Sequence, residues 1–201
     1  MTYTSQGGQD KWIIESFFNF KKNGYFVDLA AGDGVFLSNT YVLEKELGWN
    51  GICIEANNST FENLKKNRSA ICDNNCILDD GSIVEFVNTT KITEWEHLLS
   101  GIKKLMPGNT SVDSLDVKTT ISLETLLNNH NAPKYIDYIS LDVEGSEFII
   151  LEDFFKKNKR KVKLWSIEHG VHEQQVIEIM NKNNYKHLMK IEFDNIFELS
   201  Q

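Results

Sequence analysis

Arginine is nearly missing from this sequence, and with it the usual means of gripping phosphate. Only Arg68 and Arg160 carry guanidinium groups, so planar, bidentate phosphate recognition is scarce. Basic charge is also in deficit: 21 Lys and Arg stand against 29 Asp and Glu, a net charge of −8. Neutralising a nucleic-acid backbone needs a positive surface, so no nucleic-acid partner is expected. The three cysteines, Cys53, Cys72 and Cys76, are odd in number and lack zinc-like spacing. That argues against a disulfide framework and against a cysteine metal cage. Cys53, inside the apolar run Gly51-Ile52-Cys53-Ile54, reads as a small buried hydrophobe. No apolar run approaches the ~18 residues of a membrane span. The opening MTYTSQGGQDKWIIE has neither the cationic start nor the apolar stretch of a secretion signal, so a cytoplasmic chain without a membrane partner is expected.

What is present is an ordinary globular composition, 41% hydrophobic and 25% charged, over 201 residues. A chain of that size buries roughly 70% of its unfolded surface and needs no disulfide or metal for its core. Without repeats, linkers or low-complexity stretches, residues 1–201 read as one domain. Apolar, strand-like runs at 25–29, 51–55, 70–72, 135–142 and 162–168 alternate with helix-like segments at 39–47, 60–67, 146–157 and 173–183. Such alternation is the signature of an α/β sheet with crossover helices. Ser59 or Thr60 is the expected cap of the second of these helices. Trp12, Ile13, Phe17 and Phe18 form the expected buried stripe of an opening helix. Residues 185–190 and 193–197 form an expected closing antiparallel pair, turning at Asp194-Asn195. Residues 82–87 resemble an extra edge strand, and from 88 to 120 the periodicity fades. There a helix over 93–104 is expected, ended by Pro107-Gly108, then a polar, mobile stretch over 109–116. The segment 88–120, with Trp95, His97, Leu98, Leu99 and Met106, is either a lid over an acceptor or packing over a sheet edge.

The first strand runs into Asp28-Leu29-Ala30-Ala31-Gly32-Asp33-Gly34, followed by Ser38 as a helix cap. A glycine turn at a strand end lets a ligand approach bare backbone. A dinucleotide site wants a third glycine three residues after Gly34, where Leu37 stands. Asp28 and Asp33 would also face the negative charges of a pyrophosphate. A sulfonium and an ammonium would instead be attracted, which favours S-adenosylmethionine over NAD. Glu55 closes the second strand about twenty residues on, where a carboxylate commonly accepts ribose hydroxyls. Asp142, Glu144 and Glu147 follow the fourth strand, and Glu168 and His169 follow the fifth. In a parallel sheet these ends share the edge of the glycine loop, at the switch point where ligands bind.

These residues resemble a known family. Ser5-Gln6-Gly7-Gly8-Gln9-Asp10, the glycine loop from Gly24, Leu37-Ser38-Asn39-Thr40, Gly48 to Glu55, Asn67-Arg68, Leu141-Asp142-Val143-Glu144-Gly145-Ser146-Glu147 and Ser166-Ile167-Glu168-His169 resemble the FkbM family of S-adenosylmethionine-dependent methyltransferases. The resemblance implies the class I Rossmann-like sheet, seven strands in the order 3-2-1-4-5-7-6 with the seventh antiparallel and helices on both faces. It implies cofactor contacts from Asp28, Ala30, Gly32, Asp33, Gly34, Ser38, Asn39, Glu55, Ala56 and Asp142, and from the segment containing Asn75 near the adenine. Ala30 stands where the family usually has glycine, which fits only if its φ is ordinary. Gly170 replaces the asparagine usual after Glu-His.

The implied reaction is methyl transfer, most simply to a hydroxyl of a small molecule or sugar. An alcohol must lose its proton, which calls for a base among Asp142, Glu144, Glu168 and His169, with His169 or Asp142 foremost. Alternatively Asp142, Glu168 and His169 hold Mg²⁺ or Mn²⁺ that acidifies the hydroxyl. Gln6 and Asp10 are expected to reach the site from the amino terminus. A non-catalytic nucleoside-binding module and an NAD-dependent Rossmann enzyme are the competing readings.

Overall fold

In the computed structural model, residues 1–89, 99–106, 113–157 and 159–200 are described. The chain opens with α1 (Gln9–Trp12), which widens into a π turn over Ile13–Phe17. β1 (Tyr25–Leu29), α2 (Tyr41–Leu47), β2 (Asn50–Ile54), α3 (Asn58–Asn67) and β3 (Ile71–Asp73) follow. Next come β4 (Cys76–Leu78), β5 (Ile83–Asn88), β6 (Gly101–Ile102), β7 (Ser114–Ser122) and α4 (Leu123–Asn129). β8 (Tyr135–Leu141), α5 (Glu147–Lys157), β9 (Lys161–Glu168), α6 (Glu173–Lys182), β10 (Tyr185–Ile191) and β11 (Asp194–Leu199) complete it.

The main sheet has seven strands in the order β3-β2-β1-β8-β9-β11-β10. Counted along this sheet alone, that is 3-2-1-4-5-7-6, with β11 antiparallel to β9 and to β10. Its central strands are apolar on both faces because helices cover both. Val27, Leu29, Ile52, Ile54, Ile139 and Leu141 face one core, completed by Leu126, Ile150, Phe154 and Met180 from α4, α5 and α6. The intervening Phe26, Cys53, Tyr138 and Leu164 face a second core, against Ile13, Ile14, Val42, Leu43 and Leu64. The strand period of two thus sorts one run into two cores. Among the described residues, no helix is long and apolar enough to cross a membrane.

The expectation had no place for a second sheet, yet β4-β7-β5-β6 forms one between β3 and α4. The strand expected at 82–87 is β5, and it pairs with β6 and β7 rather than edging the main sheet. The helix expected over 93–104 is overturned where the chain is described: Ile102 pairs with Phe86 as a strand. Trp95, His97 and Leu98 lie outside the described residues. Of the polar stretch expected to be mobile at 109–116, residues 109–112 lie outside the described residues, and from Ser114 the chain is in the nine-residue β7. Two local corrections follow from hydrogen bonding. Asn57, not Ser59 or Thr60, caps α3 by accepting from the amides of Ser59 and Thr60. The closing hairpin turns at Glu192-Phe193, since Ile191 pairs with Asp194 and leaves Asp194-Asn195 inside β11.

Register aligns the carboxyl ends of the strands. Leu29 pairs with Ile54 and Leu141, and Leu141 with Ile167. The residues just beyond, Ala30, Glu55, Asp142 and Glu168, therefore emerge along one edge. Asp194 joins them from the opposite direction, paired with Glu168.

Candidate functional site

Two clefts adjoin at that edge, and Leu29 and Ala30 line both. Ala30 turns the chain off β1 with φ +62°, so the ordinary φ that would make alanine easily tolerated there is not what the chain adopts. A left-handed alanine is strained by about 1 kcal/mol or more. Such strain persists where surrounding contacts hold it.

The first cleft, about 400 Å³ counting its opening to solvent, is lined by Glu55, Ala56, Asn75, Cys76, Phe86 and Ile102 among others. Among the described residues that line it, Glu55 is the one carboxylate, and it is buried. Its Oε2 accepts from the Gly32 amide at 3.0 Å and its Oε1 from the Asn57 amide at 2.7 Å. The side chain so pins the glycine loop to the turn before α3. Burial pushes its pKa up to about 7 against the pull of those amides. Asn75 is fixed by Asp73, whose Oδ1 accepts from its backbone and side-chain nitrogens, both at 2.8 Å. On the far side, Ser100, Gly101 and Ile102 of the inserted sheet cover the cleft. Ser100 Oγ accepts from Asn57 Nδ2 and the Thr89 amide, each at 3.1 Å, which ties that wall to the start of α3.

The second cleft, about 630 Å³, is acidic: Asp28, Asp142, Glu144 and Asp194 line it with Gln6, Gln9, Ser38, Asn39 and Ser140. Oxygens of Asp142, Glu144 and Glu168 lie within 4.8 Å of one another. Crowded, half-buried carboxyls cannot all ionise. Burial raises Asp142 and Glu168, and a hydrogen bond joins them, so the pair holds a proton near neutrality. Burial, then Asp142 and Glu147, push Glu144 up to about 8. Burial, then Asp142, push Asp194 up to about 7. Burial raises Asp28 only to about 6, because Arg68 and Thr40 favour its charged form. Asn39 donates to Ser140 Oγ at 3.0 Å, while its Oδ1 is buried without a partner. Glu144 itself sits at φ +58° and Gly145 at φ +106°. Glu147 clasps this turn, its Oε1 accepting from the amides of Val143 and Gly145.

Several expected residues stand elsewhere. Asp33 does not face the clefts: its Oδ1 accepts from the amides of Val35 and Phe36, each at 2.8 Å. Gly34 lines neither cleft but packs on Arg68 and Leu64. Asp10 is spent on a local turn, accepting from the amides of Thr4, Ser5 and Lys11. Gln9 reaches the cleft in its place. His169 is turned away from Asp142 and Glu168. Its backbone amide extends the β9–β11 pairing by donating to the Phe193 carbonyl, and its Nδ1 lies 2.6 Å from the same oxygen. The ring stacks on Phe193 at 6.0 Å. The ligand set expected of Asp142, Glu168 and His169 is therefore not assembled, and Glu144 stands in the third position. Asp194 and Ser140 carried no sequence signal of their own. Asp194 was legible only through the register of the last hairpin.

A model of the methyltransferase FkbM domain matches residues 28–191. Among solved structures, the chain is similar to the METTL16 MTase domain at 11% identity and a TM-score of 0.52, covering 96% of this chain and 66% of that one. It is similar to methyltransferase FkbM from Methylobacillus flagellatus KT at 12% identity and a TM-score of 0.54, covering 97% of this chain and 48% of that one. At such identities the likeness speaks for the fold alone, and the chain spans under two thirds of each of these structures. No curated protein matches it.

Proposed function

The chain belongs to the methyltransferase FkbM family of S-adenosylmethionine-dependent enzymes, and from that premise we propose that it methylates a hydroxyl of a small molecule or sugar. The observation that carries this reading is the pairing of two clefts across one strand end, one suited to a nucleoside and one acidic. In the first, Glu55 spends only two of about four acceptor positions on amides, leaving others for ribose hydroxyls. Ala56, Cys76, Phe86 and Ile102 supply the apolar walls that a base needs, with Asn75 as a polar marker. In the second, Asp28 and its neighbours attract a cation. The same charges would repel the pyrophosphate of NAD. When bound there, the sulfonium supplies an electrophilic methyl carbon that leaves sulfur without an acid.

The acceptor hydroxyl gives its proton to the one ionised carboxylate of the Asp142–Glu168 pair, which shares a single proton near neutrality. Burial raises the proton affinity of Asp142, which suits a base for an alcohol better than an ordinary carboxylate, while Glu144, pushed up to about 8, stays largely protonated beside it. Oxygen donors of this kind also suit Mg²⁺ or Mn²⁺. With the histidine of the expected set turned away, proton transfer to carboxylate is the simpler reading. Ser100, Gly101 and Ile102 form one wall of the nucleoside side.

The test is transfer of labelled methyl from S-adenosylmethionine to a panel of sugars and small hydroxylic compounds. Label recovered in a methyl ether, lost by about a hundredfold or more in the Asp142→Asn, Glu168→Gln double variant, is the expected result. Label entering only amines, or turnover unchanged in the double variant, would contradict it.

A further inference from the structure

Arg68, one of only two arginines in the chain, is buried, with 0% of its side chain exposed. A guanidinium there must be fully paired, and its partners all lie on the segment that shapes the second cleft. Nε donates to Glu44 Oε2 at 2.5 Å, and Nη1 to the Gly34 carbonyl at 3.1 Å and to Ser38 Oγ at 3.4 Å. Nη2 donates to Thr40 Oγ1 at 3.0 Å, and Thr40 passes its own proton into a 2.5 Å hydrogen bond to Asp28 Oδ2. The rings of Phe26 and Tyr41 flank the guanidinium at 5.3 and 5.9 Å. At Gly34 a Cβ would meet Arg68 Cγ at 2.6 Å, so the loop has given up a side chain to admit the arginine. Asp28 and Ser38 line the cleft, whereas Arg68 and Thr40 stand behind its wall.

We propose that Arg68 is a positioning residue that works through Thr40 to hold the Asp28 carboxylate charged and aimed into the cleft, and so sets the pH range over which the cleft takes a cationic methyl donor. The donor half rests on the function proposed above; the arginine–aspartate half does not. Asp28 is faced by Arg68 from the end of α3, Thr40 ahead of α2, Asp142 beyond β8, Glu55 beyond β2, Tyr138 on β8 and Cys53 on β2. Of these Arg68 alone is a cation. Burial and Asp142 push the carboxyl toward its neutral form, and Arg68 with Thr40 oppose them. Without the guanidinium, Asp28 protonates at neutral pH and the floor of the cleft loses a charge.

The experiment uses the full chain in two arms. In the first, without ligand, carboxyl carbon NMR follows the titration of Asp28 in wild type, Arg68→Lys, Arg68→Met and Thr40→Val. The midpoint should rise by about one pH unit or more in Arg68→Met, less in Thr40→Val, and least in Arg68→Lys. In the second, calorimetry measures S-adenosylmethionine affinity at about pH 6.5 and about pH 9. The Arg68→Met protein should bind about tenfold more weakly than wild type at the lower pH, with the ratio closing toward one at the higher pH. Asp28→Asn should remove that pH dependence. An Asp28 midpoint that stays put, or a loss of affinity equal at every pH, would overturn the proposal in favour of a merely structural arginine. A wild-type chain that titrates as expected yet binds no donor would overturn the donor half alone. Thr40→Val keeps the Arg68–Glu44 pair, so it carries both arms if Arg68→Met does not fold.

Discussion

Ala30 ends β1 at φ +62°, at the point where the two clefts meet. Glycine would adopt that conformation without a Cβ clash, at an entropic cost of roughly 0.5–1 kcal/mol against the strain of about 1–2 kcal/mol it removes. Ala30→Gly should therefore stabilise the chain by up to about 1 kcal/mol, a rise of about 2–4 °C in melting temperature. Ala30→Val, with a branched side chain in the left-handed region, should lower it. A thermal melt in which glycine is the worse substitution would show that the strain has been misplaced. The identity of residue 30 was plain in the sequence, but its φ was not. An isolated alanine carries no backbone signal, and only the pinning of the adjoining Gly32 amide by Glu55 reveals how the loop is held.

At the scale of elements, the inserted sheet and the turn after β8 are fitted to each other. A Cβ on Gly145 would collide with the Leu105 carbonyl, and Gly101 packs against Met106 and Glu144. The insertion thus buttresses the strained turn that presents Glu144, besides lining the first cleft. Gly145→Ala combines a forbidding φ of +106° with that collision. It should cost about 1–3 kcal/mol and raise the rate of proteolysis within residues 99–106. Unchanged cleavage would mean that the two elements are not coupled. The main strands were legible because burial on both faces demands mostly apolar runs such as Phe26 to Leu29 and Ile136 to Leu141, broken only by Asp28, Asp137 and Ser140. β7 was not. Its apolar Leu115 and Val117 are exposed while Asp116 and Lys118 between them are half-buried, so the hydrophobic pattern runs against the burial, and Ser and Thr dilute the rest. Cap chemistry misled in the same way: Ser59 and Thr60 are good caps by type, but Asn57 precedes them in the chain and takes the amides first.

Across the whole molecule, buried acids set the response to pH. Asp28, Glu55, Asp194 and Glu144 have folded pKa values near 6, 7, 7 and 8, all above the ordinary carboxylate range. The folded state therefore binds protons more tightly than the unfolded one, and that stabilisation, complete below about pH 4, is lost as pH rises through about 6 to 8. Glu44 acts with the opposite sign, held below its ordinary value by Arg68, so its contribution is lost only in stronger acid. The melting temperature should accordingly fall by several degrees between about pH 5 and about pH 8. Asp194→Asn and Glu144→Gln should each flatten the slope. A melting temperature that rises over that interval would mean that these groups are solvated. The gathering of acids at one sheet edge was legible from strand order alone. Their partition was not, because hydrogen bonding to Val35 and Phe36 withdrew Asp33 and the last hairpin withdrew His169. The same hairpin brought in Asp194.

The most direct measurement is calorimetric titration of the chain, at neutral pH, with S-adenosylmethionine and with NAD in separate cells. A crevice walled by carboxylates beside a single ribose-ready glutamate should release heat with the sulfonium nucleoside and none with the dinucleotide. Saturable binding of NAD with no response to S-adenosylmethionine would contradict the account at its root.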